Sequence, residues 1–327
     1  MPLRYARTGV SRTEVASRGG GCGKLLRGQG RVGHPRGMDS GQAGVTASRD
    51  GTTRRGLAAE HPVVVFRGAR AAVEPLTFEE RIRAYGAVMR PGEFFSHATA
   101  AHLLGLPGPR PGVTTPLHVS VAPPQRAARR IGVRSHHLWD PAVTVIDAGY
   151  PVADPASTFC HLSDSLSLED LVVLGDAIVG RDEEGERRGW RIDPEALTSR
   201  AVSFRARGGR RAREAVPWVR AGAESPMETR LRLLLLRAGL PEPELNVELY
   251  DDEGRFVARV DLVYRDRRVV VEYDGDQHRT DRGQYERDIR RAEAIEALGY
   301  RVVRVRSAGV LLHPEETVAR VRRALLG

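Results

Sequence analysis

The chain has 327 residues, with 51 basic and 42 acidic side chains, 41% hydrophobic and 6% aromatic residues. That apolar fraction excludes wholesale disorder, no apolar run reaches the ~20 residues of a membrane span, and two cysteines, Cys22 and Cys160, are too few for a disulfide framework or a zinc cage. The expectation is a soluble, cytoplasmic protein of two domains behind a tail.

The net charge of +9 is unevenly spread. Residues 1–60 carry 11 basic and 4 acidic groups, whereas Glu224 to Gly327 carries 19 basic and 20 acidic ones. Lys24 is the one lysine, so the arginine excess resembles a codon bias, and any nucleic-acid contact must come from local patches. Residues 1–60 are rich in Gly, Arg and Ser and are expected to be disordered. Within them "ARTGVSRTEVASR" (Ala6 to Arg18) has the turn glycine and following serine of a helix-turn-helix. Met38 offers an alternative start.

Residues 61–215 show a mixed pattern that predicts an α+β domain followed by a linker. Val63 to Gly68 reads as a strand, and Leu76 to Arg90 as an amphipathic helix. A short helix capped by Ser96 follows. "PLHVSVA", "IGVRSHHL" and "VTVIDAGYPV" read as strands, and "ADPASTFCHLSDSLSLEDLVVLGDAIVGR" as two helices. Arg181 to Arg213 reads as a linker with one embedded element. His136 and His137 near Asp140 are taken as surface histidines, since adjacent strand residues face opposite ways. Cys160–His161 lacks the partners of a nucleophile–base pair, and "GGGCGK" lacks the spacing of a phosphate loop.

Residues 220–327 are the best patterned. Ser225 and Glu228 form the signature of a capping box, and Met227, Leu231, Leu234 and Leu235 make an apolar stripe. Strands are expected at "ELNVELY", "FVARVDLVY" and "RVVVEYDG", then a helix from about Gln284 to Leu298. The strand "RVVRV" and a closing helix beginning at Pro314 follow. The order is α-β-β-β-α-β, with a final α.

The chemistry gathers at Asp261, Glu272, Asp274 and His278. Glu272 and Asp274 are two apart on a strand and leave the same face. If Asp266–Arg267 is a two-residue hairpin, the count 261 + 272 = 265 + 268 sets Asp261 opposite Glu272, ~5 Å away. An odd-length loop would put the two on opposite faces. Carboxylates so placed repel one another, and a divalent cation with oxygen ligands removes the repulsion. Gly275 permits a turn that brings His278 back toward the metal, where an imidazole can orient or deprotonate water. Arg279, Arg282 and Arg287 flank the site and could hold phosphates, while Asp288 and Arg291 have the spacing of a helical ion pair.

These residues carry a family resemblance. Glu228, "VDLVY" with Asp261, "VVVEYDGDQH" with Glu272 and His278, and "YERDIRRAEAIEALGYRVVRV" resemble the PD-(D/E)XK restriction-endonuclease-like superfamily, in the branch related to the very-short-patch-repair (Vsr) endonucleases. The resemblance covers about a hundred residues. It implies a DNA endonuclease in which Asp261 and Glu272 hold Mg²⁺, or Mn²⁺, helped by the Tyr273 carbonyl, with His278 assisting water activation and Glu228 as a further site acid. The superfamily's lysine position holds Asp274. The middle segment, through "SHATAAHLLGLP", "VTVIDAGYPVADPASTFCHLS" and "LEDLVVLGDAIV", is similar to the AbiEi family of antitoxin-type regulators. The expected whole is an α/β and α+β protein with a restriction-endonuclease-like core after a regulator-like domain. DNA is the expected partner, a membrane is not, and a homodimer stays open. The rival reading is a DNA-binding regulator or antitoxin-like protein with an inactive nuclease core.

Overall fold

The computed structural model describes residues 45–47, 63–72, 76–139, 143–145, 149–179, 192–275 and 282–327, with the backbone alone at 45–47, 143–145 and 282–288. The helix-turn-helix-like piece and nearly all of residues 1–60 lie outside them, as does Asp140. The first elements are strands β1 (Val45–Ala47), β2 (Val63–Phe66) and β3 (Ala69–Ala71), which form a small antiparallel sheet in the order β1-β3-β2. Helix α1 (Phe78–Gly86) starts at a reciprocal capping box. The Thr77 hydroxyl accepts from the Glu80 N–H, and the Glu80 carboxylate accepts from the Thr77 N–H. The helix is shorter than its predicted span and buries Phe78, Ile82 and Tyr85.

A five-stranded sheet follows, ordered β6-β5-β4-β8-β7, from β4 (Glu93–Phe95), β5 (Leu117–Val121), β6 (Val133–His137), β7 (Val143–Val145) and β8 (Pro151–Ala153). The single strand expected at "VTVIDAGYPV" is instead the antiparallel pair β7–β8, with Gly149 at φ 78 between them. A left-handed glycine turns the chain where a side chain would strain it. Helix α2 (His97–Leu103) follows β4 directly, and α3 (Pro155–Leu162) and α4 (Leu168–Ile178) start at Asp154 and Ser167, whose side chains accept from the first-turn N–H groups.

The expected linker is largely helical where it is described. α5 (Pro194–Ser203) and α6 (Gly209–Ala215) bury Leu197, Ala201, Ala212 and Ala215 against Phe159, Leu171, Leu174 and Ile178. Leu233, from the next helix, joins the same core.

That helix, α7 (Pro226–Arg237), opens the C-terminal segment. Ser225 Oγ accepts from the Glu228 N–H, but the return arm of the box lands one residue early, on the Glu224 N–H. Four strands then order as β12-β11-β10-β9, from β9 (Glu244–Tyr250), β10 (Phe256–Tyr264), β11 (Val269–Asp274) and β12 (Arg301–Arg306). β11 and β12 are parallel, connected through α8 (Arg282–Ala297), and the other pairs are antiparallel. α9 (Ser307–Leu311) and α10 (Pro314–Leu326) close the chain. One sheet face packs Leu262, Tyr264, Val269 and Val271 on Leu231, Leu235, Val318 and Val321 of α7 and α10. The other packs Val260, Val263 and Val270 on Ile295 of α8.

α4 and α7 are joined by a buried polar node. Asp176 accepts from Arg232 Nη2 at 2.8 Å, from the Thr229 hydroxyl at 2.9 Å and from the Arg220 N–H at 2.7 Å. Arg232 is fully buried. No helix among the described residues is long and apolar enough to cross a membrane.

Candidate active site

β11 is apolar and closed to solvent through Val269, Val270 and Val271, then turns acidic at Glu272, which is 8% exposed. The connection to β10 differs from the expected two-residue hairpin. Tyr264 pairs with Val269, and four residues intervene, closed by the Arg268 N–H on the Arg265 carbonyl with Arg268 left-handed at φ 49. Four is still even, so the register Leu262↔Val271 carried one step on puts Asp261 across from Glu272. Asp261 Oδ2 accepts the Tyr273 N–H at 2.7 Å, pinning the end of β11 to β10.

The pleat slips at this point. Val260 and Val263, three apart, both face α8, although strict alternation would separate them. On the neighbouring strand the count Val260↔Val247 and Leu262↔Leu245 sets Asn246 beside Asp261, and Asn246 is left-handed at φ 47. Its side chain donates to Glu228 Oε2 at 2.7 Å and to the Gly222 carbonyl at 2.6 Å. The distortion therefore ties the first turn of α7 to the acidic end of the sheet.

Electrostatics gather the same groups. Burial pushes the Asp261 carboxyl up to about 7. The Tyr273 N–H opposes the rise, the charges of Glu228 and Glu272 add to it, and Arg291 reduces it. Arg291 comes from α8 and stands 2.8 Å from Glu272 Oε1, while also donating to the Arg259 carbonyl. A buried carboxyl whose proton affinity is raised by two neighbouring carboxylates is an arrangement that a cation relieves. The donors are all oxygen, as a hard divalent ion prefers.

Asp261, Glu272 and Glu228 are thus brought together. Asp274 is paired with Arg306 across β11–β12 and meets that guanidinium at 3.3 Å. Among the described residues no trio of acids sets its oxygens within 4.8 Å of one another. Arg291 pairs with Glu272, where its spacing had suggested Asp288. The side chains of Asp288, Arg282 and Arg287 lie outside the described residues, as do His278 and Arg279 entirely. Asn246 and Arg291 were missed as site residues. The one sequence signal for Asn246 is a turn-former inside the strand "ELNVELY".

Residues 246–325 match the family model REase_MTES_1575, a restriction endonuclease-like family. A stretch of 114 residues is 33% identical to each of two uncharacterized proteins of Mycobacterium tuberculosis, MT2308 of strain CDC 1551 / Oshkosh and Rv2248 of strain H37Rv. It covers 35% of this chain and 42% of each relative, so the chain spans less than half the length of the curated relatives it matches. The crystal structure of RV2827C protein from Mycobacterium tuberculosis superposes with a TM-score of 0.30 at 16% identity, over 57% of this chain and 68% of that one. That likeness is too slight to fix the fold.

Proposed function

From the restriction-endonuclease-like match at residues 246–325, we propose that the chain is a metal-dependent DNA endonuclease that hydrolyses phosphodiester bonds. The observation that carries this reading is Asp261, a carboxyl whose proton affinity is raised by burial and by the neighbouring Glu228 and Glu272. Asp261, Glu272 and the Tyr273 carbonyl would hold Mg²⁺, with Mn²⁺ as a substitute, and Glu228 would act from the first turn of α7. When bound, such an ion neutralises charge on the phosphate and lowers the pKa of the attacking water.

The protein's own groups have separate tasks in this proposal. The Tyr273 N–H aims Asp261, Asn246 aims Glu228, and Arg291 pairs with Glu272 in a poorly solvated place. Asp274 takes the lysine position, and His278 orients or deprotonates the water. Arg279, Arg282 and Arg287 hold DNA phosphates by charge-assisted bonds that carry no sequence information. The nuclease core is of the Vsr-like kind, and the middle segment is an AbiEi-like regulatory domain, occupying 61–215 beside a core at 220–327.

A specific observation favours the second reading, a DNA-binding regulator or antitoxin-like protein with an inactive core. Arg291 already neutralises Glu272, and Asp274 is engaged by Arg306. Plasmid cleavage separates the two. With Mg²⁺ or Mn²⁺ the wild type should nick or linearise supercoiled DNA, and Asp261→Ala should fall to background while still binding DNA. A wild type that binds DNA and cuts with neither ion would establish the second reading. At saturating Mg²⁺, His278→Ala should slow cleavage by roughly 10²–10⁴-fold, the usual worth of general acid–base help, with DNA affinity unchanged. An unaltered rate would remove His278 from the mechanism.

A further inference from the structure

The middle segment gathers four histidines for which nuclease chemistry has no use. His97 opens α2, His118 lies on β5, His136 on β6 and His161 near the end of α3. The parallel register sets Ser120 beside His136, so His118 and His136 are diagonal neighbours on one sheet face. His118 Nδ1 stands 3.0 Å from His136 Nε2. The His97 ring stacks on His136 with centroids 3.8 Å apart and on His161 at 5.1 Å. One ligand nitrogen from each of His97, His118 and His136 lies within 4.8 Å of the other two. His136 and His137 do face opposite ways, with His137 at the Gln125 carbonyl, but His136 is turned onto two distant histidines and is not an isolated surface residue.

Two further observations point to a ligand. His161 is 4% exposed, and among the described residues neither of its ring nitrogens has a hydrogen-bond partner. Buried polar atoms are rarely left so. His97 holds a left-handed backbone at φ 51, uncommon for a non-glycine residue. Its Nδ1 is 2.9 Å from the buried Ser96 hydroxyl, which Ser120 Oγ in turn approaches at 2.6 Å. This outer layer orients the ring and leaves Nε2 as the nitrogen open to a ligand.

We propose that His97, His118 and His136 form a binding site for a transition-metal ion, Zn²⁺ first among them, with His161 beside them to complete a four-coordinate set. Imidazole nitrogens suit Zn²⁺, Cu²⁺, Fe²⁺ or Ni²⁺ and discriminate against Mg²⁺ and Ca²⁺. With Zn–N bonds of ~2.0–2.1 Å, two ligands of a tetrahedral ion sit about 3.3 Å apart, close to the His118–His136 separation of 3.0 Å. Two cations oppose a bound ion. Arg134 is exposed and therefore screened, and Arg200, near His161, bonds the Ser157 hydroxyl at 3.2 Å.

The test uses the untagged full-length chain, stripped by a chelator and titrated with Co²⁺, then with Zn²⁺. The expected result is one equivalent of Co²⁺ with the intense visible ligand-field absorption of four-coordinate cobalt, displaced by one equivalent of Zn²⁺. His118→Ala and His136→Ala should each lose it. His137→Ala, one residue along on the opposite face, should keep it. Asp261→Ala should also keep it, which separates this ion from any at the acidic cluster. Far-UV circular dichroism establishes that each variant is folded, and the His118→Asn/His136→Asn pair replaces the alanine variants if they are not. A stripped wild type that takes up no stoichiometric Co²⁺ overturns the site. So does uptake that survives in a folded double variant.

Discussion

Asp176→Ala is expected to lower the stability of the chain by about 3–5 kcal/mol, the usual cost of leaving one member of a buried ion pair uncompensated. Arg232 is fully buried on α7 and meets Asp176 on α4 at 2.8 Å. Its other acidic neighbour, Glu242, is 3.5 Å away and 39% exposed, so that charge is screened. A guanidinium cannot shed its proton, and removing the aspartate strands a charge away from water, along with the Thr229 hydroxyl and the Arg220 N–H. The reverse change should be milder. Burial already pushes the Asp176 carboxyl up, against the pull of Arg232, so in Arg232→Met it can take a proton and become neutral. The double variant should recover part of the loss, because apolar groups of similar volume often replace a buried pair at little cost. Urea midpoints of the four proteins measure this. A cost below 1 kcal/mol for Asp176→Ala would place the pair with ordinary surface bridges.

The particular residues show what the sequence could and could not convey. β11 was legible because Val269 to Val271 form a β-branched run that acids interrupt. The placement of Asp261 across from Glu272 was legible by counting, although the turn was not. A left-handed Arg268 has no compositional signal, and the pairing held because the longer turn is centred on the same point as the expected two-residue one. α5 and α6 were taken for a linker because they bury mainly alanines and one leucine, Leu197, among arginines. Small side chains pack closely without raising a hydrophobic period. Asn246, Arg291 and the histidines escaped for a different reason. Each stands on a different element from its partners, and its meaning appears only when distant segments meet. His97, His118, His136 and His161 come from four elements, which no local spacing rule connects.

The second large effect is a pH dependence at Asp261. Its carboxyl ionises near 3.9 in an unfolded chain and is pushed up to about 7 in the fold, by burial first and then by Glu228 and Glu272 against the Tyr273 N–H and Arg291. Between these values the folded state binds the proton that the unfolded state has released. The contribution of Asp261 to stability must then fall as pH rises through that window, and it levels off above the folded value. Each tenfold change in proton affinity is worth about 1.4 kcal/mol, so the decline amounts to several kcal/mol on an order-of-magnitude scale. Relative to Asp261→Asn, the metal-free wild type should therefore lose stability between pH 5 and pH 8; the buried histidines, whose lowered proton affinity acts in the opposite sense, contribute equally to both proteins. Asp261→Asn, neutral throughout and still able to accept the Tyr273 N–H, should show much less of this decline. Adding Mg²⁺ at pH 8 should restore stability to the wild type and not to Asp261→Asn, because an ion that binds only the folded state stabilises it by mass action. Thermal melts of both proteins across pH 5–8, with and without Mg²⁺, read all of this. Parallel pH profiles for the two would show that Asp261 is ionised at little cost. A Mg²⁺ effect of equal size in both would place the ion elsewhere than at Asp261.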